Sequence, residues 1–346
     1  MSDFLLGIIE GFYGKPWSWA ARESTARWLP TAGLDAYIYA PKSDAHLRAR
    51  WRADWPAAEY AALQSLANTC RASSVRFGVG LSPIETRDFS NNSADQQALK
   101  QKLALIAALK PATIAILFDD IAGSGVDAAQ QIAITRIAQA QCPDARIIVC
   151  PSYYSHDPRL TEVFGPMPAG YLADLGKGLD SSVDVFWTGQ KVCSASYTVH
   201  EFEQIAEVLQ RAPVLWDNYP VNDGKLTSPF LHIKPFTNRP AGLRKVLRGH
   251  LANPMNQPML SRLPLATLAS CYEKTVNPVL CDNPALLECL QADVGLFQEV
   301  GLEGLNDAQR NELVKRYEAF KGEPQAEEVL AWLAGEYRFD PGCLTG

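Results

Sequence analysis

The sequence lacks the marks of several protein classes. No run of 18 apolar residues occurs in its 346 positions, so no membrane-spanning helix is expected. The segment from Met1 to Glu10 has no basic start, and its apolar run ends at the glutamate, which makes a poor export signal. The eight cysteines (Cys70, Cys142, Cys150, Cys193, Cys271, Cys281, Cys289 and Cys343) contain no C-x-x-C pair. They read as reduced thiols, mostly small buried hydrophobes, of a cytoplasmic protein. The five histidines have no ligand spacing either, so neither a metal nor any other cofactor is expected. Basic excess is missing: the net charge is −6, which argues against nucleic acid and anionic membranes as partners. There is no repeat of 20 to 50 residues, no glycine-rich dinucleotide fingerprint after the first strand, and no phosphate-cradling loop.

What is present is a core. The composition is 47% hydrophobic and 10% aromatic, with enough length for about two domains or one large barrel with an appendage. Apolar, β-branched runs alternate with helical periodicity. Strands are expected at Phe4–Ile9, Ala36–Ala40, Arg76–Leu81, Thr113–Phe118, Arg146–Cys150, Val183–Trp187, Val214–Trp216 and, most weakly marked, Gly249–Ala252. Helices are expected at Ser18–Leu29, Pro56–Arg71, Ser93–Leu109, Val126–Gln139, Val199–Arg211, Ala241–Leu247 and Leu263–Glu273. Eight strands alternating with helices predict an α/β fold of the (β/α)₈ TIM-barrel kind over residues 1–277. A doubly wound open sheet is the competing layout. Residues 278–346 read as a small C-terminal α-helical appendage, with helices at Pro284–Phe297, Asn306–Phe320 and Pro324–Tyr337 whose acidic stretches are solvated faces and which carry no chemistry.

A barrel of this kind puts its chemistry at the C-terminal ends of the strands. Those ends carry Glu10-Gly11-Phe12-Tyr13, Pro41-Lys42, Asp119-Asp120, Cys150-Pro-Ser-Tyr-Tyr154, Trp187-Thr188, Trp216-Asp217-Asn218 with Asn222-Asp223, and Asn253-Pro254. Carboxylates, amides, a lysine and aromatic rings on one rim suit a sugar.

The Asp119-Asp120 pair is the sharpest feature. An isolated Asp-Asp can be a solvated turn or a helix N-cap. This pair follows six apolar residues and therefore stands at the mouth of the core, where crowding of like charges raises one carboxyl. Adjacent carboxylates cannot flank a glycosidic bond from both sides. They do suit substrate-assisted hydrolysis, in which the sugar's own 2-acetamido oxygen attacks C1 while one Asp polarises the acetamido N–H and the other is general acid and base. Magnesium- or manganese-dependent sugar transfer on the same two aspartates is a second reading. A barrel that binds the sugar without cleaving it is a third.

Six segments stand out in order from about residue 5 to 275: Gly7-Ile-Ile-Glu-Gly-Phe-Tyr-Gly-Lys-Pro-Trp17, Tyr39-Ala-Pro-Lys-Ser-Asp44, Leu117-Phe-Asp-Asp-Ile121, Trp187-Thr-Gly-Gln-Lys-Val192, Trp216-Asp-Asn218 with Asn222-Asp223, and Asn253-Pro254. Together they resemble glycoside hydrolase family 84, the family of protein O-GlcNAcases and bacterial β-N-acetylglucosaminidases. The resemblance implies retaining, substrate-assisted removal of β-linked GlcNAc from a glycoconjugate or glycan through an oxazoline. Carried over by motif, Asp119 would orient the acetamido group and Asp120 would be the general acid and base. Cys150, Tyr154, Thr188 and Trp216 would form the acetamido pocket, the tyrosine hydroxyl meeting the acetamido oxygen. Gly11, Lys42, Asp223 and Asn253 would bind sugar hydroxyls, with Asn218 near the reacting centre and Val192 at the rim. Pro151-Ser-Tyr-Tyr154 stands where the family usually has Pro-Thr-Glu-Tyr, and Ile84 follows Ser82-Pro83 in place of glycine. Both departures concern the leaving-group side. The resemblance also admits a homodimer through the C-terminal helices.

Overall fold

The computed structural model describes residues 4–85, 93–120, 127–337 and 339–344. Eight parallel strands close on themselves in chain order: β1 (Leu5–Glu10), β2 (Ala36–Tyr39), β3 (Arg76–Leu81), β4 (Thr113–Leu117), β5 (Arg146–Cys150), β6 (Asp184–Trp187), β7 (Val214–Asp217) and β8 (Gly249–Ala252). The ring is sealed by pairing of Leu5 with Gly249 through Ile8 with Ala252. This is the expected TIM barrel, and the faint eighth strand lies where the sequence places it. Strands such as β4 are buried along their whole length, so their sequence is continuously apolar and not alternating, as a sheet covered on both faces requires. Close approach of β1 to β2 uses Gly7, where a Cβ would lie 1.9 Å from the Ala36 carbonyl oxygen.

The helices on the outside are α1 (Trp19–Trp28), α2 (Ala57–Ala72), α3 (Ala94–Ala108), α4 (Ala128–Gln141), α5 (Pro158–Phe164), α6 (Tyr171–Gly178), α7 (Val199–Leu209) and α8 (Pro258–Leu268). The layer differs from expectation in three places. Two short helices, α5 and α6, connect β5 to β6 where none was read; Gly165-Pro166-Met167-Pro168 separates them and breaks any long period. Between β7 and β8 there is only a 3₁₀ turn, Ala241–Lys245, so the long stretch 218–240 is free to form loops over the barrel mouth. Helix α8 begins at Pro258 and continues through Pro264, whose missing N–H makes the first turn look like a boundary. The expected start of the fourth helix, Val126, falls outside the described residues.

Beyond the barrel lie α9 (Pro284–Ala292), α10 (Gly301–Gly304), α11 (Asp307–Glu318) and α12 (Pro324–Leu333). Their apolar faces form a second core with Leu231, Ile233, Met255 and Leu260, residues of the β7–β8 loop and of the chain around the start of α8. The acidic residues here are not all solvated. Glu328 is buried and accepts hydrogen bonds from the amides of Met259 (2.9 Å) and Leu260 (2.8 Å), capping α8 from another helix. Nor are most cysteines buried: Cys70, Cys142, Cys150 and Cys343 are, Cys193 is exposed, and Cys271, Cys281 and Cys289 lie between. No two cysteines are bridged among the described residues. No helix among them is long and apolar enough to cross a membrane.

Candidate active site

All twelve residues assigned a site role in the sequence analysis reach one open cavity at the C-terminal end of the barrel. Gly11, Lys42, Asp119, Asp120, Cys150, Tyr154, Thr188, Val192, Trp216, Asn218, Asp223 and Asn253 all line it. The barrel explains the convergence, since each follows or ends a strand and parallel strands share one direction.

The floor is made by an amide hub. Asn218 Oδ1 accepts from Trp216 Nε1 and from Asn253 Nδ2, both at 3.0 Å, while its Nδ2 donates to the Val192 carbonyl at 2.8 Å. Asn253 Oδ1 accepts in turn from the Gly11 amide at 3.2 Å. The Trp216 ring lies flush on Gly11, where a Cβ would sit 2.4 Å from Cζ2, so only glycine fits. Thr188 Oγ1 donates to the Lys191 carbonyl at 3.0 Å and holds the turn that presents Val192. These contacts tie the ends of β1, β6, β7 and β8 into one rigid surface.

The acids stand on the other side. In an extended chain Asp119 and Asp120 would point to opposite faces. The backbone breaks from the strand at Asp120, which has φ of 52°, and both carboxylates enter the cavity. Asp tolerates this left-handed conformation better than most side chains, although it remains strained. Lys42 Nζ pairs with Asp119 Oδ2, and both side chains are buried. Asp119 Oδ1 is buried with no hydrogen-bond partner among the described residues. Asp120 accepts from Tyr154 OH (3.0 Å) and Tyr13 OH (3.1 Å), and its carbonyl accepts from Arg48 Nη2 (2.5 Å).

Burial and then the neighbouring Asp119 raise the Asp120 carboxyl, outweighing the lowering effects of Lys42, Arg48 and Tyr154. Asp223 accepts from the Tyr13 amide at 2.7 Å, yet burial lifts its carboxyl to about 6. Burial likewise pushes the Cys150 thiol well above its ordinary value, so it serves as a neutral wall. No cluster of three or more His, Cys, Asp or Glu able to hold a metal occurs among the described residues.

The beta-N-acetylglucosaminidase (NAGidase) family matches residues 6–279, a span that holds all the cavity residues named so far. The chain belongs to this family. Among curated relatives it is 31% identical over 294 residues to the protein O-GlcNAcases of Mus musculus and Rattus norvegicus. That alignment takes in 81% of this chain and 31% of either relative, so the chain spans about a third of their length. Among solved structures, a mutant of the O-GlcNAc hydrolase of Thermobaculum terrenum superposes with a TM-score of 0.75 at 30% identity, covering 97% of this chain and 76% of that one. CpGH84B shares the fold at 22% identity, with a TM-score of 0.74 and coverage of 96% and 67%.

Four cavity residues of this family member escaped the sequence reading: Tyr13, Cys193, Val221 and Cys343. Tyr13 lay within a recognised strand end and could have been found by asking which ring faces the acid pair. Tyr154 donates to Asp120, a contact the resemblance did not include. Nothing in sequence pointed to Cys343.

Proposed function

We propose that the protein is a retaining exo-β-N-acetylglucosaminidase working by substrate-assisted catalysis. The observation that carries this is the asymmetry of the acid pair. Asp119 keeps one buried acceptor oxygen without a partner among the described residues, while its neighbour Asp120 is pushed toward the protonated form. An acetamido N–H would satisfy Asp119 Oδ1, and so align the acetamido oxygen for attack on C1. The C1–O bond breaks as that oxygen bonds C1, and Asp120 delivers its proton to the departing oxygen. Asp120, now a carboxylate, takes a proton from water, whose oxygen attacks C1 from the vacated side; the oxazoline opens and the β configuration is restored. Lys42 holds Asp119 in place, and Tyr13 and Tyr154 hold Asp120. Gly11, Lys42, Asp223 and Asn253 would bind sugar hydroxyls, and Cys150, Tyr154, Thr188 and Trp216 would enclose the acetamido methyl, with Val192 at its rim and Asn218 under the reacting carbon.

The substrate is read as a GlcNAc-bearing glycoconjugate or glycan, with residues 1–277 as the catalytic unit. A cytoplasmic location and a homodimer through residues 278–346 complete the reading; sedimentation of the intact protein tests the dimer.

The test is hydrolysis of an aryl β-N-acetylglucosaminide in the presence of EDTA. Wild type should turn over without metal. Asp120→Asn should lose about 10²- to 10⁴-fold on an alkyl glycoside and far less on an activated aryl glycoside that needs little protonation. Activity abolished by EDTA and restored by magnesium would replace this reading with metal-dependent transfer, and binding without turnover would leave a sugar-binding barrel.

A further inference from the structure

The chain does not leave the catalytic cavity to the barrel alone. After α12 it turns back over the mouth. Lys15, in the loop that follows β1, pairs with Glu336 at 2.8 Å and lies 4.8 Å from the centre of the Tyr337 ring. A tight turn follows, in which the Gly342 amide donates to Asp340 Oδ1 (2.8 Å) and the Cys343 amide to the Asp340 carbonyl (2.9 Å). Gly342 rests on the Tyr13 ring, where a Cβ would lie 3.5 Å from Cε1. Cys343 is buried and lines the same cavity as Asp119 and Asp120.

We infer that the segment 340–344 walls the leaving-group side of this cavity and that position 343 selects which leaving groups are accepted. The side follows from Tyr13. Its hydroxyl donates to Asp120 Oδ2, the other oxygen of Asp120 being held by Tyr154 from the acetamido side. The segment packed on Tyr13 therefore borders the space into which Asp120 sends its proton. That the cavity is built for a ligand is indicated independently by Asp119 Oδ1, which has no partner among the described residues. A small, weakly polar side chain at 343 leaves that space open, whereas a large one would narrow it without touching Asp119. This inference rests on the glycosidase reading and adds to it a selectivity element drawn from outside the barrel.

The experiment compares kcat/KM for a 4-nitrophenyl β-N-acetylglucosaminide and for a peptide carrying β-GlcNAc on serine. Cys343→Trp should lower the glycopeptide value at least tenfold more than the aryl value, chiefly through KM. Cys343→Ala, which cannot clash and guards against a misfolded tryptophan variant, should shift the ratio at least twofold the other way. Parallel loss on both substrates in a folded tryptophan variant, or an unchanged ratio in both variants, would overturn the inference. Wild type inactive on both substrates would instead overturn the glycosidase reading, and this inference with it.

Discussion

Two buried carboxylate sites stand at the same end of the barrel and are built on opposite plans. Asp217, the last residue of β7, receives Arg239 through Nε and Nη2 at 2.9 Å each, His250 Nε2 at 3.0 Å and Tyr197 OH at 3.1 Å. Burial would raise its carboxyl, but hydrogen bonding by His250 and the charge of Arg239 bring it below the ordinary value. In the cavity at the same rim, Asp119 is left one donor short among the described residues and Asp120 is raised. A carboxylate saturated with donors and neutralised by a cation holds structure together. One left unsatisfied stores a demand that a ligand can meet.

The contrast can be broken by exchanging the roles through mutation. Asp119→Asn should cost about 10²- to 10⁴-fold in kcat with both aryl and alkyl leaving groups, since closure of the oxazoline is itself impaired. Its melting should change by less than about 1 kcal/mol, because the amide oxygen still accepts from Lys42 while repulsion with Asp120 disappears. Asp217→Ala should do the reverse, losing about 3–5 kcal/mol of stability by stranding Arg239 and His250. Denaturant melts and single-turnover rates on the two variants decide the matter. A stable, inactive Asp217→Ala would mean that the saturated site belongs to catalysis after all.

The distinction between the two carboxylate sites was only partly legible in the sequence. Arg76–Leu81 and Arg146–Cys150 coincide with strands to the residue, because past the leading arginine each is a short buried run of apolar and glycine residues, whereas Gly249–Ala252, with its glycine and histidine, was placed mainly by the rhythm of the seven strands before it. The barrel then forces the strand ends, and so Gly11 through Asn253, onto one rim. Donor saturation is not written locally. Arg239 and Tyr197 reach Asp217 from loops with no periodicity, and the closeness of Tyr13 to Asp120 spans 107 positions. Cys343 reaches the cavity only because α12 docks on α8. A charged residue on an amphipathic helix, such as Glu328, reads as solvated until the partner that buries it is in place.

A gentler way to sharpen the contrast is pH. If Asp120 must carry a proton, kcat/KM falls on an alkaline limb displaced above the ordinary carboxylate range by burial and by Asp119. Residual turnover by Asp119→Asn should show that limb moved toward acid, because the like charge that raises Asp120 is gone. An alkaline limb left in place would assign it to another group. Asp223, lifted to about 6, is the first alternative, and Asp223→Asn would identify it by removing the limb.

Glu328 offers a third plan, a buried carboxyl whose hydrogen-bond partners are neutral amides. Burial raises it to about 8 from an ordinary 4.5, against the pull of the Met259 and Leu260 amides and the charges of Arg262 and Lys15. The folded state therefore favours the protonated form. Its stabilising contribution is complete below about pH 4.5 and is lost as pH rises through 8. Glu328→Gln imitates the protonated carboxyl, so at pH 4.5 and below it should alter stability by less than about 1 kcal/mol. As pH rises from 4.5 to 8 the unfolded parent gives up a proton that the folded parent must keep, so the parent loses stability that the glutamine variant retains, and the variant becomes the more stable of the two. Stabilities of both proteins from pH 4 to 9 should therefore coincide at the acid end and diverge up to about pH 8. Parallel curves would mean that the two amides at the start of α8 hold Glu328 as an anion throughout, which would place it with Asp217 among the satisfied carboxylates.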